Sequence, residues 1–370
     1  MSGDPLRWPR VVATSAMPRS EVRELERQGW WRPTKGFLVE PRQEKSFTRQ
    51  RDYYLGYVGA LSQQSPGAVV FTGTTAAMLL GHPVWPRLDA IDIYRCKGRR
   101  EVRTLRSYPT STVPVPVRAM RRPNSLRNAV DLGNGVVVAT RERTGVDVAR
   151  LAASQSAFIV VCSILGRLAT SGDRYRDRND KSFLAKESAA RAKMMEMAEH
   201  LSNTAGRQRA MGIISRASGQ VESVAEARVL WLVCAYGLPM PLMQYRIVVD
   251  GKEFFGDFVW PEAGLIVEFN GEGKYGTDDA RSRRVADERA RESLLRSAGF
   301  EVLNLSWDQL KDHRHVALLI HRYLRSKTRT GVGMANLQIR RDLSRPSRAL
   351  RMDSRISKQA TLGPPSGRRM

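Results

Sequence analysis

Cysteine is scarce in this chain of 370 residues: Cys96, Cys162 and Cys234 stand far apart. That spacing argues against a disulfide framework or a paired Cys-x-x-Cys zinc site, and two of the three sit within apolar runs, so they read as buried free thiols. Acidic residues are also in deficit, 37 Asp plus Glu against 61 Lys plus Arg, which leaves a formal net charge of +24 and a pI near 10.7. No apolar run is long enough to cross a bilayer; the longest, from Ala157 to Gly166, reads as a core helix. The first residues carry no apolar signal region, so a cytoplasmic location is expected. The chain has no Gly-x-x-x-x-Gly-Lys-Ser/Thr loop and no His-Glu-x-x-His pair, which removes P-loop nucleotide hydrolysis and zincin chemistry.

What is abundant is positive charge. Each phosphate neutralised by Lys or Arg releases counterions, so the balance points to a nucleic-acid partner, DNA above all, and not to a membrane. RNA stays open as an alternative polymer, because charge alone does not separate the two. The length implies two or three domains.

Near the start, Pro18-Arg-Ser-Glu-Val-Arg-Glu-Leu-Glu-Arg-Gln-Gly-Trp30 predicts a short helix with Ser20 as N-cap, Val22 and Leu25 facing inward and Gly29 ending it. The following residues to Val39 predict a β-wing that turns at Lys35-Gly36. A helix bearing Arg19, Ser20, Arg23 and Arg27, then a hairpin with Lys35, is the layout of a DNA-binding winged helix-turn-helix over residues 1–45. Residues 46–204 read as a mixed α/β middle domain. In it, strands at Val69–Thr72, Ala90–Tyr94 and Gly135–Thr140 are joined by polar, proline-bearing connections, and Gly172–Lys181 is a mobile surface loop. Residues 205–325 give helix, three strands, helix, strand and helix, a small layered α/β unit. Residues 326–370 lose hydrophobic periodicity, are rich in Lys and Arg, and read as a disordered basic tail.

The chemistry concentrates between Gly256 and Tyr275. Two apolar strand-like runs there each carry one carboxylate, Asp257 and Glu268, and Lys274 follows a few residues on. Carboxylates on neighbouring strands can hold Mg²⁺ against a phosphodiester, and a nearby lysine can orient water or offset charge at phosphorus.

Taken with Ser223-Val-Ala-Glu226, Gln244, Asp257-Phe258, Glu268-Phe-Asn-Gly271 and Gly299-Phe-Glu-Val-Leu303, residues 205–325 resemble the PD-(D/E)XK nuclease superfamily. The resemblance is to its branch related to very-short-patch-repair endonucleases. It implies a restriction-endonuclease-like α/β/α domain and, with it, a Mg²⁺- or Mn²⁺-dependent endonuclease. Asp257 and Glu268 would be the metal ligands, Glu226 a water-mediated ligand or base, and Lys274 a cation beside the scissile phosphate. One departure matters. The second residue after the strand carboxylate is Asn270, where the superfamily signature has lysine and this branch usually aspartate; asparagine is a weaker ligand and cannot act as a base.

Residues 10–40, with Thr74–Pro83 and Val138–Arg150, resemble the abortive-infection type IV antitoxin (AbiEi-like) family. That resemblance implies promoter binding and a possible toxin partner, and so a rival function, a non-catalytic DNA-binding regulator or antitoxin. Within it, Thr144 reads as a cap, Asp147 as a solvated charge and His82 as a helix-end hydrogen bonder. The oligomeric state is not set by the sequence.

Overall fold

The structure, a computed structural model, describes residues 7–41, 46–95, 102–109, 111–121, 129–170, 178–201, 206–270 and 278–327. It is of mixed α/β class and divides into two compact units, one ending at Ala152 and the other beginning at Ala153. The division falls inside the stretch 46–204 that the sequence suggested as one domain. In the first unit, Trp31 and Val39 share a single core with Tyr54, Tyr57 and Phe71, so residues before 46 are not separately cored.

The first unit opens with β1 (Val11–Ala13), α1 (Arg19–Arg27) and β2 (Phe37–Val39). The ladder of β2 runs antiparallel to β1, upstream of the helix; the expected hairpin from Trp30 contributes only a Trp31–Val39 bridge. Ser20 is not the N-cap. Pro18 holds that position with no side-chain bond, and Ser20 lies inside α1. Gly29, at φ +90°, follows the helix in the left-handed conformation that glycine adopts without strain.

Helices α2 (Ser46–Gln64), α3 (Gly73–Leu79) and α4 (Arg141–Leu151) accompany a six-stranded sheet. Its strands are β3 (Val69–Phe71), β4 (Ile91–Arg95), β5 (Val102–Leu105), β6 (Val115–Arg121), β7 (Ala129–Asp131) and β8 (Val137–Ala139), in the order β5-β6-β4-β3-β8-β7. Three of these, β5 to β7, lie where the sequence suggested only connections. Pro116 misleads there, because proline cannot donate to a ladder. It pairs with Thr104 of β5, and the ladder from β6 to β4 begins one residue later at Val117. Val69, Phe71, Ile91 and Ile93 pack with α2, while the alternate residues Val70 and Tyr94 join a second cluster, the period-2 pattern of a sheet buried on both faces.

A charged network is buried in this unit. Asp147, fully buried and not solvated, accepts bonds from Thr72 Oγ1 (2.6 Å), Tyr94 Oη (2.5 Å) and Arg143 Nη2 (2.9 Å). Asp92 accepts from the Thr74 amide (3.0 Å), Thr74 Oγ1 (2.8 Å) and Arg118 Nε (2.6 Å). Thr140 caps α4 instead of Thr144, whose hydroxyl donates to the Ala139 carbonyl.

The second unit has four helices, α5 (Ser154–Ala169), α6 (Lys181–Glu199), α7 (Arg207–Arg216) and α8 (Val224–Tyr236). They precede β9 (Leu242–Val249), β10 (Lys252–Trp260), β11 (Leu265–Phe269), α9 (Asp278–Ser297), β12 (Glu301–Leu305) and α10 (His313–Lys327). The sheet order is β12-β11-β10-β9, antiparallel except that β12 runs parallel to β11. A parallel neighbour needs a crossover, and α9 supplies it; its Leu295 packs on Ile247, Val259 and Ile266. The order of elements from α7 to α10 is the one the periodicity predicts.

Cys162 and Cys234 are buried and stand outside any disulfide, and burial pushes the Cys162 thiol up; Cys96 lies outside the described residues. The end of the loop expected to be mobile is tied down: Arg178 donates to the Val221 carbonyl at 2.7 Å and pairs with Glu222 at 3.1 Å. The basic tail lies outside the described residues apart from Ser326 and Lys327. No helix among the described residues is long and apolar enough to cross a membrane.

Candidate active site

Three carboxylates from three elements of the second unit face a common region. Asp257 stands on β10 and Glu268 on β11, and extending the Phe258–Val267 register by one residue sets them opposite each other on one face. Glu226 comes from the first turn of α8. Ser223 caps that helix by accepting from the Glu226 amide at 3.0 Å, and Glu226 Oε2 in turn accepts from the Glu222 amide at 2.8 Å. The Ser-x-x-Glu spacing thus serves as a capping arrangement and also brings a carboxylate to the site.

Gln244 links the two sides. Its amide donates to Glu226 Oε2 at 3.3 Å and to Asp257 Oδ1 at 3.4 Å. Its backbone adopts φ +49°, unusual for a non-glycine residue inside a strand, and its carbonyl accepts from the Asn179 side chain. Asp257 Oδ2 accepts from the Phe269 amide at 3.2 Å.

The electrostatics are unbalanced at Asp257. Burial, then the charges of Glu226 and Glu268, push its carboxyl up to about 7, and the bonds from the Phe269 amide and Gln244 offset this only in part. Glu268 differs. It is 7% exposed and held in a forked pair by Arg291 of α9, with Nη1 at 2.7 Å from Oε2 and Nη2 at 2.5 Å from Oε1. Arg291 also pairs with Glu288 at 3.1 Å. Beside the site, Phe269 meets Trp307 edge to face at 4.9 Å, and the Arg228 guanidinium lies over Trp307.

The donor chemistry fits a hard divalent cation: oxygen ligands only, with mutual repulsion that such an ion would relieve. The geometry is incomplete. Among the described residues no three of His, Cys, Asp and Glu are placed to hold a metal, and both oxygens of Glu268 are engaged by Arg291. Asn270 is exposed at the end of β11, where its amide donates to the Leu305 carbonyl. Lys274 lies outside the described residues.

Of the site residues named from the sequence, then, Glu226, Asp257 and Glu268 come together. Gln244 entered the sequence reading only as part of the resemblance, and Arg291 did not enter it. Nothing in the charged run of α9 separates Arg291 from Arg289 or Arg296; only the fold aims it at Glu268. In the first unit Arg19, Ser20, Arg23, Arg27 and Lys35 are exposed, and α1 carries interleaved acids, with Arg27 on Glu24 at 2.5 Å and Arg32 on Glu26 at 2.5 Å. The basic face of the helix is partly neutralised within the chain.

No family description matches the chain, and no curated protein matches it. Among solved structures, the RV2827C protein from Mycobacterium tuberculosis is similar over 66% of this chain and 85% of that one, at 18% identity and a TM-score of 0.31. A TM-score that low does not equate the two folds.

Proposed function

We propose that the second unit is a nuclease-type module that hydrolyses phosphodiester bonds in DNA with Mg²⁺ or Mn²⁺. The observation that supports this is the Asp257 carboxyl raised to about 7 by burial and by two further carboxylates at one end of the sheet. Asp257 and Glu268 would hold the ion, with Glu226 behind them. A bound divalent ion supplies charge neutralisation at the phosphate and an activated water. The chain's own contribution is positional: the β10–β11 register fixes two carboxylates, the capped turn of α8 fixes the third, and Gln244 sets the spacing between them. The net charge of +24 brings polyanion to the protein.

A plasmid-nicking assay with Mg²⁺ or Mn²⁺ tests this, comparing the wild-type chain with Asp257→Ala and Glu268→Ala. Metal-dependent nicking that both variants lose by about 100-fold or more supports the reading. No metal-dependent nicking, or equal nicking by all three proteins, overturns it. Offering RNA in the same assay identifies the polymer.

A second reading has its own support. Asn270 in place of an acidic or lysine residue, and an arginine already seated on Glu268, suit a DNA-binding regulator or antitoxin in which the nuclease fold serves recognition. Exposed Arg19, Arg23, Arg27 and Lys35 would then carry the binding from a winged-helix region, with a toxin as possible partner. Binding without cleavage distinguishes it.

A further inference from the structure

We infer that the second unit carries a further binding site, a cavity for a small organic acid with an aliphatic or aromatic body, separate from the carboxylates of the candidate active site and independent of any metal there. Its volume is about 500 Å³, within the range that takes a small ligand. Three parts of the unit wall it: α6 through Leu184, the end of α7 through Arg216, and the passage from α8 into β9 through Cys234, Leu238, Met240 and Met243.

The body of the ligand follows from these walls. Leu184 and Met240 are 41% and 53% exposed, so apolar surface is left at the mouth of a concave site instead of being packed in a core. Inside, the Cys234 thiol meets the Met240 sulphur at 3.8 Å, and with Met243 they form a polarisable, adaptable lining that suits chains and rings alike. The charge of the ligand follows from what is already neutralised. Glu187, the carboxylate of the lining, accepts from Arg191 and from the Gly219 amide at 2.9 Å, so its charge is answered within the chain. Arg191 also donates to the Ile214 carbonyl at 2.8 Å and to the Ala217 carbonyl, at the end of α7 where a helix is partially negative. Both features that would repel an anion are thereby offset. Arg216, in the last turn of α7 and bonded to the Gly212 carbonyl at 2.8 Å, adds positive charge to the wall, and a guanidinium matches a carboxylate better than a neutral or cationic head group. A carboxylate with an apolar body satisfies both halves of the site.

The test is calorimetric titration of the full chain with decanoate, below its micelle concentration, against octanoate and decanol. Decanoate is expected to bind about tenfold more tightly than octanoate, because two further methylenes are buried, and about tenfold more tightly than decanol, which lacks the charge. Arg216→Gln is expected to weaken decanoate about tenfold and to leave decanol unchanged. Met240→Glu, an exposed change that sets a carboxylate at the mouth, is expected to weaken decanoate by about tenfold or more, and it carries the test if thermal unfolding shows that the Arg216 variant does not fold. No saturable binding overturns the site. Decanoate affinity that neither variant lowers also overturns it, because it marks adsorption to a chain of net charge +24. Decanol binding as tightly as decanoate overturns the choice of an acid.

Discussion

The two units each bury carboxylates and treat them in opposite ways. In the first, Asp147 and Asp92 are saturated: hydroxyls, a backbone amide and arginines surround them, and every bond answers the negative charge. In the second, Asp257 is set opposite one carboxylate and linked through Gln244 to another, and burial first, then these charges, push its carboxyl up to about 7. A satisfied buried charge fixes a fold, whereas an unsatisfied one stores a deficit that a ligand can relieve. Asp147 and Asp92 are fully buried and Asp257 half-buried, yet it is Asp257 whose carboxyl is pushed up, because carboxylates and not arginines face it.

The largest expected effect lies on the saturated side. Asp147→Asn leaves Arg143 buried without its counter-charge and is expected to lower stability by about 3–5 kcal/mol in urea unfolding. An unchanged midpoint would remove the distinction between the units. On the other side the sign reverses. Because the Asp257 carboxyl is raised in the folded chain, ionising it costs stability as pH rises from its unfolded value through about 7. Asp257→Asn cannot ionise, so in EDTA at pH 8 it is expected to be more stable than wild type by ~2–4 kcal/mol. The gain should shrink as pH falls and vanish near pH 4. Destabilisation at pH 8 would mean that Asp257 is satisfied after all.

A smaller effect sharpens the same contrast. Gln244→Leu removes a donor that holds the Asp257 carboxyl down, so the carboxyl should titrate above 7 by carbon NMR, with a stability loss of about 1 kcal/mol. No movement of the titration would show that Gln244 plays no electrostatic part. The smallest effect is a control at an exposed pair: Arg27→Ala, which breaks the contact with Glu24, should leave the unfolding midpoint unchanged within error.

Much of the second unit could be read in advance. The strands from Leu242 to Phe269 alternate or run apolar between clear turns, and α8 announces itself with Ser223, Glu226 and a closing Gly237. The first unit was less legible. Pro116 hid β6, because a sequence does not say that the neighbouring ladder starts one residue later. Ser20 resembled a cap in composition, yet Pro18 occupies the position where the chain enters the helix. Asp147 read as a solvated charge; only the approach of Thr72, just past β3, and of Tyr94 on β4 makes it a buried acceptor.

What the sequence determined by itself was the local and additive: the scarcity of cysteine, the net positive charge, the order of elements from α7 to α10, and the presence of three acids in strand and helix positions. These follow from composition, periodicity and capping, which act over a few residues. Tertiary structure alone decided which charges meet. That Asp257 stands across from Glu268, that Gln244 joins Asp257 to Glu226, and that Arg291 rather than another arginine of α9 reaches Glu268 depend on β-register and helix placement. Electrostatic energy depends on distance and burial, and neither is written in the order of residues.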